Sequence, residues 1–270
     1  MVMSRLFTII SPAKSLQMDG AEDSACAFEA SRPRFAAKTR SLAGTLREQS
    51  PRTLASLMSI SPKLAELNSE RWERFGSRGN PRGAAAMCFR GDVYQGLEAW
   101  TMSGRSLDWM QAHVRILSGL YGLLRPLDVI QPYRLEMGTR LRTEVGRDLY
   151  AFWGDQLMRT LRKDMKDAGA DTLVNLASDE YSKAARLDEL GADVLDVKFM
   201  QKDGGSLRFI SFFAKRARGL MARWMADHRP RTLADLEGFD VEGYRFHRAE
   251  SDDGLMVFSR PRPAAAGKAG

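Results

Sequence analysis

Apolar and polar positions follow two different periods along this chain, which predicts a mixture of strands and helices. Short apolar runs typical of buried strands occupy 6–10, 86–89, 172–177, 193–200, 207–212 and 255–259. Apolar residues at helical spacing occupy 35–75, 107–117, 147–168 and 211–227. No internal repeat or long linker divides the sequence. The pattern therefore predicts a single compact α+β domain over 1–260, with a mixed central sheet, surrounding helices and a helical lobe at 35–75.

Short polar signals mark where several of these elements begin or end. Ser50-Pro51 and Ser61-Pro62 each predict a capping serine followed by a proline in the first helical turn. The turn Asp203-Gly-Gly205 predicts a hairpin between two of the strands. The residues at 261–270 are rich in proline, alanine and glycine, and they predict a disordered tail.

The composition excludes several classes of protein and of metal site. The chain has 270 residues, a net charge of +7, two cysteines and three histidines. Cys26 and Cys88 are distant in sequence and make no disulfide framework, and the histidines share no zinc-ligand spacing with them. Arg5 interrupts the apolar start, and no apolar run is long enough to span a membrane. The sequence predicts a cytoplasmic protein with no membrane partner, cofactor or Cys/His metal site, and leaves only a carboxylate-built metal site open.

Most of the positive charge lies in one stretch. Residues 201–231 hold 8 basic and 2 acidic residues, a net charge of +6, whereas 151–200 hold 7 basic and 10 acidic residues. Within the basic stretch, one side of the predicted helix at 211–227 is apolar. The other side carries four cations: Lys215, Arg216, Arg218 and Arg223. This face is either the solvated surface of a core-packed helix or a surface that meets phosphate groups.

The segment after the helix predicted at 107–117 combines glycines, prolines and arginines. Backbone N–H groups at Gly119 and Gly122 can turn outward and bind an anion. Arg125 and Arg134 would complete such a phosphate site. The alternative is a helix C-cap followed by a rigid loop, in which Arg125 pairs with Asp128.

Ionisable side chains also cluster just after predicted strands. They are Lys14, Asp92, Tyr94, Asp179, Glu180 and Tyr181. Ligands of α/β proteins gather where strand ends and loops converge, so this group predicts an anion-binding or proton-transfer site. The alternative for Ser178 and Asp179 is a helix N-cap with an acidic first turn.

Short motifs in a fixed order run from residue 11 to about 246. They include Ser11-Pro-Ala-Lys14, Gly91-Asp-Val-Tyr94, Leu117-Ser-Gly-Leu-Tyr-Gly122, Arg125-Pro-Leu-Asp128, Gln131-Pro-Tyr-Arg-Leu-Glu-Met-Gly138, Phe152-Trp-Gly-Asp155, Asn175-Leu-Ala-Ser-Asp-Glu-Tyr181 and Ala214-Lys-Arg-Ala-Arg-Gly-Leu-Met221. Together they resemble the YaaA peroxide-stress-resistance family of bacteria. The sequence differs mildly from that pattern, with Arg90 where lysine is expected and Phe213 where tyrosine is expected.

The resemblance implies a compact α+β fold with a positively charged cleft. It also implies a helix-hairpin-helix-like element that binds duplex DNA, for which 117–126 is the best match here. The implied role is to limit free intracellular iron during hydrogen peroxide stress.

Three hypotheses follow. The first is a peroxide stress protein that binds double-stranded DNA largely without sequence specificity, through Lys14, Gly119, Tyr121, Gly122, Arg125, Arg134, Lys215, Arg216, Arg218 and Arg223. The second is an enzyme acting on a small anionic or nucleotide-like substrate, with the candidate catalytic residues Lys14, Tyr133, Glu136, Asp179 and Glu180. The third, direct iron binding by carboxylates, ranks last. A surface as broad as a duplex favours the first hypothesis, and a narrow pocket favours the second.

Overall fold

The computed structural model describes residues 6–18 and 29–263, which contain the following strands and helices. The strands are β1 (Leu6–Ile10), β2 (Ser15–Leu16), β3 (Gly83–Ala84), β4 (Phe89–Arg90), β5 (Val114–Ser118), β6 (Gly122–Leu124), β7 (Val129–Ile130), β8 (Thr172–Leu176), β9 (Asp193–Asp203), β10 (Ser206–Arg208), β11 (Arg245–Phe246) and β12 (Leu255–Pro261). The α-helices are α1 (Ala36–Arg47), α2 (Pro51–Met58), α3 (Pro62–Arg74), α4 (Ala85–Cys88), α5 (Asp92–Leu97), α6 (Gly104–His113), α7 (Leu149–Trp153), α8 (Gln156–Asp167), α9 (Asp179–Ala184), α10 (Ser211–His228) and α11 (Leu233–Leu236).

The central sheet is mixed and surrounded by helices, which confirms the predicted fold class. Its strand order is β11-β12-β9-β8-β1-β5-β6, and β10 pairs with the far end of β9. The inner strands β5, β1, β8, β9 and β12 run parallel, whereas β6, β10 and β11 are antiparallel to their neighbours. Every residue of β1 is buried, as expected for a parallel strand covered on both faces.

The pairing of β1 with β8 fixes the position of the site described below. Ile10 lies opposite Leu176, so the two strands end side by side. The segments that follow them, beginning at Ser11 and Ala177, therefore leave the sheet at the same edge.

The caps predicted for the helical lobe are confirmed. The Ser50 side chain accepts a hydrogen bond from the Thr53 amide, and Ser61 accepts one from the Leu64 amide. A proline occupies the first turn of each helix, where it has no amide hydrogen to leave unpaired.

Several predicted boundaries are wrong for tertiary reasons. The helix predicted at 107–117 ends at His113, and Val114–Ser118 becomes β5, because this apolar run is inserted between β1 and β6. The helix predicted at 147–168 is broken at Gly154, where φ is 55°. The segment predicted as a strand at 86–89 contains most of α4. Short apolar runs do not by themselves distinguish a strand from a buried helix.

The last predicted elements are partly revised as well. The predicted strand at 207–212 shortens to β10, and Ser211 already begins α10. At the carboxyl end, β12 continues through Pro261, the first residue of the predicted tail. The remainder of that tail, 264–270, lies outside the described residues. Among the helices described, none is long and apolar enough to cross a membrane.

Two glycines bring α10 into backbone contact with α5. A Cβ atom on Gly219 would lie 1.7 Å from the carbonyl oxygen of Val93, and one on Gly96 would lie 2.2 Å from that of Arg216. Real Cβ atoms do not approach that closely, so only glycine permits this crossing. The contact fixes the height and rotation of α10, which carries two of the cations of the candidate site.

Candidate functional site

A cleft of about 510 Å³ opens where β1 and β8 end. Its walls are 11–15, 90–93, 133–136, 178–181, and Lys215 and Arg218 of α10. We call this region the strand-end cleft. It holds five basic and four acidic side chains, so its charge is mixed and only slightly positive. Its volume lies in the range typical of pockets for small ligands.

Hydrogen bonds from Ser11 hold the floor of the cleft together. The Ser178 amide donates to Ser11 Oγ at 2.9 Å, which links the chain after β8 to the chain after β1. The hydroxyl of Tyr94, from α5, donates to the Ser11 carbonyl oxygen at 3.1 Å. Burial raises the pKa of Tyr94 well above its usual value, so this hydroxyl keeps its proton and remains a donor.

Glu136 lies between two cations on one side of the cleft. Its Oε2 is 2.5 Å from Lys14 Nζ, and its Oε1 is 3.1 Å from Arg134 Nη2. The Nε of Arg134 is buried and has no partner within the described part of the chain. Glu136 thus occupies the position that a ligand phosphate or carboxylate would need between these two cations.

Two cations of α10 face the cleft without an ion-pair partner among the described residues. Arg218 lines the cleft, and its buried Nε has no hydrogen-bond partner in residues 6–18 and 29–263. Burial lowers the pKa of Arg218, while the charges of Asp179 and Asp196 act in the opposite direction. Lys215 stands one turn earlier on the same helix, is exposed, and lines the same cleft. Arg218 is half-buried, and a partly desolvated guanidinium without its full set of hydrogen bonds is a strong attractor for an anion.

The five candidate catalytic residues line the cleft together: Lys14, Tyr133, Glu136, Asp179 and Glu180. The Tyr133 hydroxyl is only 2.7 Å from Ser118 Oγ, and burial raises the pKa of Tyr133. Glu180 Oε1 accepts a hydrogen bond from the Gly138 amide at 2.8 Å. The side chains of Tyr133 and Glu180 therefore also hold the walls of the cleft in place.

Three of the predicted DNA-binding residues are not at the surface. Gly119 and Tyr121 lie in the connection between β5 and β6, Gly122 is the first residue of β6, and every residue of 114–124 is buried. A Cβ on Gly119 would lie 2.4 Å from the Leu135 carbonyl oxygen. The helix-hairpin-helix interpretation of this segment is not confirmed, because two antiparallel strands stand where that element requires two helices.

Three further arginines lie outside the cleft and are engaged in the fold. Arg125 pairs with Asp128 at 2.9 Å, which is the alternative that the sequence left open. Arg216 contacts Glu242 at 2.7 Å. Arg223 contacts Asp227 at 2.9 Å and also donates to Thr101 Oγ1 at 2.7 Å. Of the ten predicted DNA-binding residues, four line the cleft: Lys14, Arg134, Lys215 and Arg218.

The sequence analysis did not single out Ser11 or Arg90 as members of the site. Ser11 is the first residue of the Ser-Pro-Ala-Lys motif, so its place directly after β1 was a usable signal. Arg90 is held over the Trp100 ring, with its guanidinium carbon 4.3 Å from the ring centroid. Arg90 and Trp100 are too far apart in sequence for a helix or strand pattern to predict this cation–π contact.

The described residues contain no group of three or more His, Cys, Asp and Glu side chains arranged to bind a metal. Asp179 and Glu180, the carboxylates considered for iron, are neighbours on the first turn of α9. Glu180 is turned towards the Gly138 amide.

Known protein sequences match this chain along nearly its whole length. A family model described as "Peroxide stress protein YaaA" matches residues 6–250. The chain is 46% identical over 259 residues to a UPF0246 protein of Laribacter hongkongensis, which covers 94% of this chain and 99% of the relative. It is 48% identical over 263 residues to a UPF0246 protein of Verminephrobacter eiseniae, with 96% and 100% coverage. A UPF0246 protein of Maricaulis maris is 43% identical over 263 residues, with 97% and 99% coverage.

Proposed function

This chain belongs to the peroxide stress protein YaaA family, and we propose that it supports peroxide resistance by binding phosphate groups in the strand-end cleft. The observation that carries the proposal is the half-buried Arg218, whose enclosed Nε has no hydrogen-bond partner among the described residues, beside the exposed Lys215. Lys14 and Arg134, from two other segments of the chain, add two cations. Charge-assisted hydrogen bonds from arginine match the geometry of phosphate oxygens, whereas lysine acts as a point charge.

We propose double-stranded DNA first as the source of phosphate, because the family resemblance implies it. The cleft, at about 510 Å³, is too small to enclose a duplex, so the duplex would lie across its mouth with phosphates of the backbone facing the four cations. The cations of the cleft would then meet the sugar-phosphate backbone and not the base edges, which gives binding largely without sequence specificity. Protection of DNA would be the contribution to peroxide resistance.

The salt dependence of binding tests this proposal. If about four cations neutralise phosphates, the logarithm of the association constant should fall with the logarithm of salt concentration with a slope of roughly −3 to −4. Fluorescence anisotropy of a labelled duplex across a series of potassium chloride concentrations measures this slope. A flat dependence, or a slope that differs between unrelated sequences, would contradict backbone binding by the cleft.

A small anionic or nucleotide-like substrate is the second candidate. The mixed charge and the volume of about 510 Å³ favour it, because a ligand that carries both an acid group and hydrogen-bond donors would satisfy the cations and the carboxylates together. Competition separates the two candidates. A nucleoside monophosphate that displaces labelled duplex at equal phosphate concentration, and binds more tightly than the duplex, would favour the small ligand.

Removing the carboxylate of Glu136 should strengthen anion binding. Glu136→Gln leaves a side chain of nearly the same shape but frees Lys14 and Arg134 from their ion pairs. We expect the affinity for labelled duplex, or for a nucleoside monophosphate, to rise about tenfold, which corresponds to about 1.4 kcal/mol.

The matched control is Glu66→Gln on the exposed surface of α3, which changes the net charge by the same amount outside the cleft. An equal effect of the two substitutions would mean that overall charge, and not the release of two cations, controls binding. Loss of binding in Glu136→Gln would mean that this carboxylate contacts the ligand directly.

The limitation of free iron implied by the family resemblance is proposed here as an indirect effect. A protein that holds iron itself needs several ligands on one ion, and the described residues offer no such group. Titration of the purified protein with ferrous iron, comparing the wild type with Asp179→Asn, tests this. Stoichiometric binding that the substitution abolishes would overturn the indirect role.

A further inference from the structure

A second cavity lies away from the strand-end cleft, on the sheet face formed by β9 and β12, and has a volume of about 600 Å³. We propose that this β9–β12 cavity is a binding site for a small organic anion with an apolar body. The inference does not depend on the proposed function of the strand-end cleft, because the two cavities share no lining residue.

Strand periodicity gives the cavity an apolar floor and a charged rim. Along β9 the buried residues alternate with Lys198, Met200 and Lys202, which line the cavity. Leu255 and Val257 of the adjacent β12 extend the apolar surface. An amphipathic ligand is suited to such a surface, since its apolar part can cover the aliphatic side chains while its acid group meets the lysines.

The two lysines have no acidic partner. No carboxylate lies within ion-pair distance of Lys198 or Lys202 in the described parts of the chain. Two nearby carboxylates are paired with arginines: Asp203 is 2.7 Å from Arg262, and Glu237 is 2.9 Å from Arg248. The two ammonium groups therefore remain available to an external anion.

His247 supplies an independent observation. It lines the cavity, and its Nδ1 is buried without a hydrogen-bond partner among the described residues. Its backbone is firmly held, because the His247 amide donates to the Val257 carbonyl oxygen at 2.8 Å and its own carbonyl accepts from Ser251 Oγ at 2.9 Å. Because Nδ1 is closed to solvent, a ligand in this cavity would meet the rest of the imidazole ring and not that nitrogen.

The acid group can be a carboxylate or a phosphate monoester, since both accept charge-assisted hydrogen bonds from lysine. Among the described residues, Glu250 is the only acidic one that lines the cavity, so the two lysines leave the lining with a net positive charge. The essential requirement is an apolar body attached to the acid group, because the floor offers aliphatic side chains.

The test is a fluorescence titration of the full chain with anilinonaphthalene sulfonate, an anion with an apolar body. We expect saturable binding to the wild type and a loss of affinity of at least about tenfold in Lys198→Glu with Lys202→Glu, because two attractive charges become repulsive. Both lysines are exposed, so this variant should keep its fold. A second variant, Met200→Ser, should weaken binding about threefold by removing apolar contact.

A control pair locates the binding. Arg52→Glu with Lys63→Glu makes the same change in net charge on α2 and α3 and should leave binding unchanged. Wild-type affinity in the Lys198/Lys202 variant, or an equal loss in the control pair, would overturn the proposal.

Displacement of the probe distinguishes the two acid groups. Octanoate tests a carboxylate and phenyl phosphate tests a phosphate monoester, and displacement by either one supports the site and identifies its preference. Inorganic phosphate has no apolar body and should not displace the probe at the same concentration. If inorganic phosphate competes as well as phenyl phosphate, or if neither organic anion displaces the probe, the site is not of the proposed kind.

Discussion

Lys215→Glu combined with Arg218→Glu is expected to lower the affinity for duplex DNA about 100-fold or more, whatever the DNA sequence. Both side chains lie on the cleft side of α10, and Arg218 is the more buried of the two. Truncating or reversing a buried, hydrogen-bonding charge costs roughly 2 to 5 kcal/mol of binding, and every 1.4 kcal/mol is about tenfold. Anisotropy titrations with two unrelated duplexes measure the effect.

A glutamate at position 218 would be buried near Asp179 and Asp196, so the fold must be checked independently. Arg218→Met keeps the apolar stem, removes the charge, and should still weaken binding about tenfold or more. The control pair Arg52→Glu with Lys63→Glu should change affinity less than threefold. Wild-type binding by a folded Arg218→Met variant would remove the main support for phosphate binding in the cleft, and a selective loss on one duplex would indicate base readout.

Gly219→Ala is expected to be the most destabilising small substitution in α10. The new methyl group would overlap the Val93 carbonyl oxygen, at 1.7 Å, and this neighbour is backbone that cannot rotate away. The helices α5 and α10 would have to separate, at a cost of roughly 3 kcal/mol, the upper end for overpacking a core. For a chain of this size we expect the midpoint of thermal unfolding to fall by about 6 to 12 °C.

Gly44→Ala on α1 is the matched control. A Cβ at Gly44 would meet no atom within 4 Å, and alanine favours a helix interior over glycine. This variant should melt at or slightly above the wild-type temperature. If Gly219→Ala melted within about 2 °C of the wild type, the close crossing of the two helices would not be a fixed part of the fold.

Gly219→Ala is also expected to affect duplex binding. Because Gly219 directly follows Arg218, a shift of α10 away from α5 would move the guanidinium relative to Lys14 and Arg134. A folded Gly219→Ala protein measured below its midpoint should therefore bind duplex more weakly than the wild type. We therefore expect the affinity for duplex to depend on a contact between two backbones that carries no charge.

The candidate site was predicted in part. The idea that ligands gather at strand ends placed Lys14, Asp179 and Glu180 in one site, the enzyme hypothesis added Glu136, and the cleft contains all four. The glycines at 119 and 122 were assigned to a surface hairpin, yet they allow tight packing in the core. Glycine is required both where a backbone meets a ligand and where it meets another part of the protein, and the sequence does not distinguish these two uses.

The sequence by itself determined the features that depend on residues a few positions apart, because periodicity and capping are local. These are β1, the serine caps of α2 and α3, the hairpin turn before β10 and the amphipathic α10, and the family motifs were also readable from the sequence. Only the tertiary structure decided which cations of α10 are free. Arg216 meets Glu242 and Arg223 reaches Thr101, whereas Arg218 is left incompletely bonded in the cleft. Those partners lie 26 and 122 residues away along the chain, and their pairing follows from the way the helices pack on the sheet.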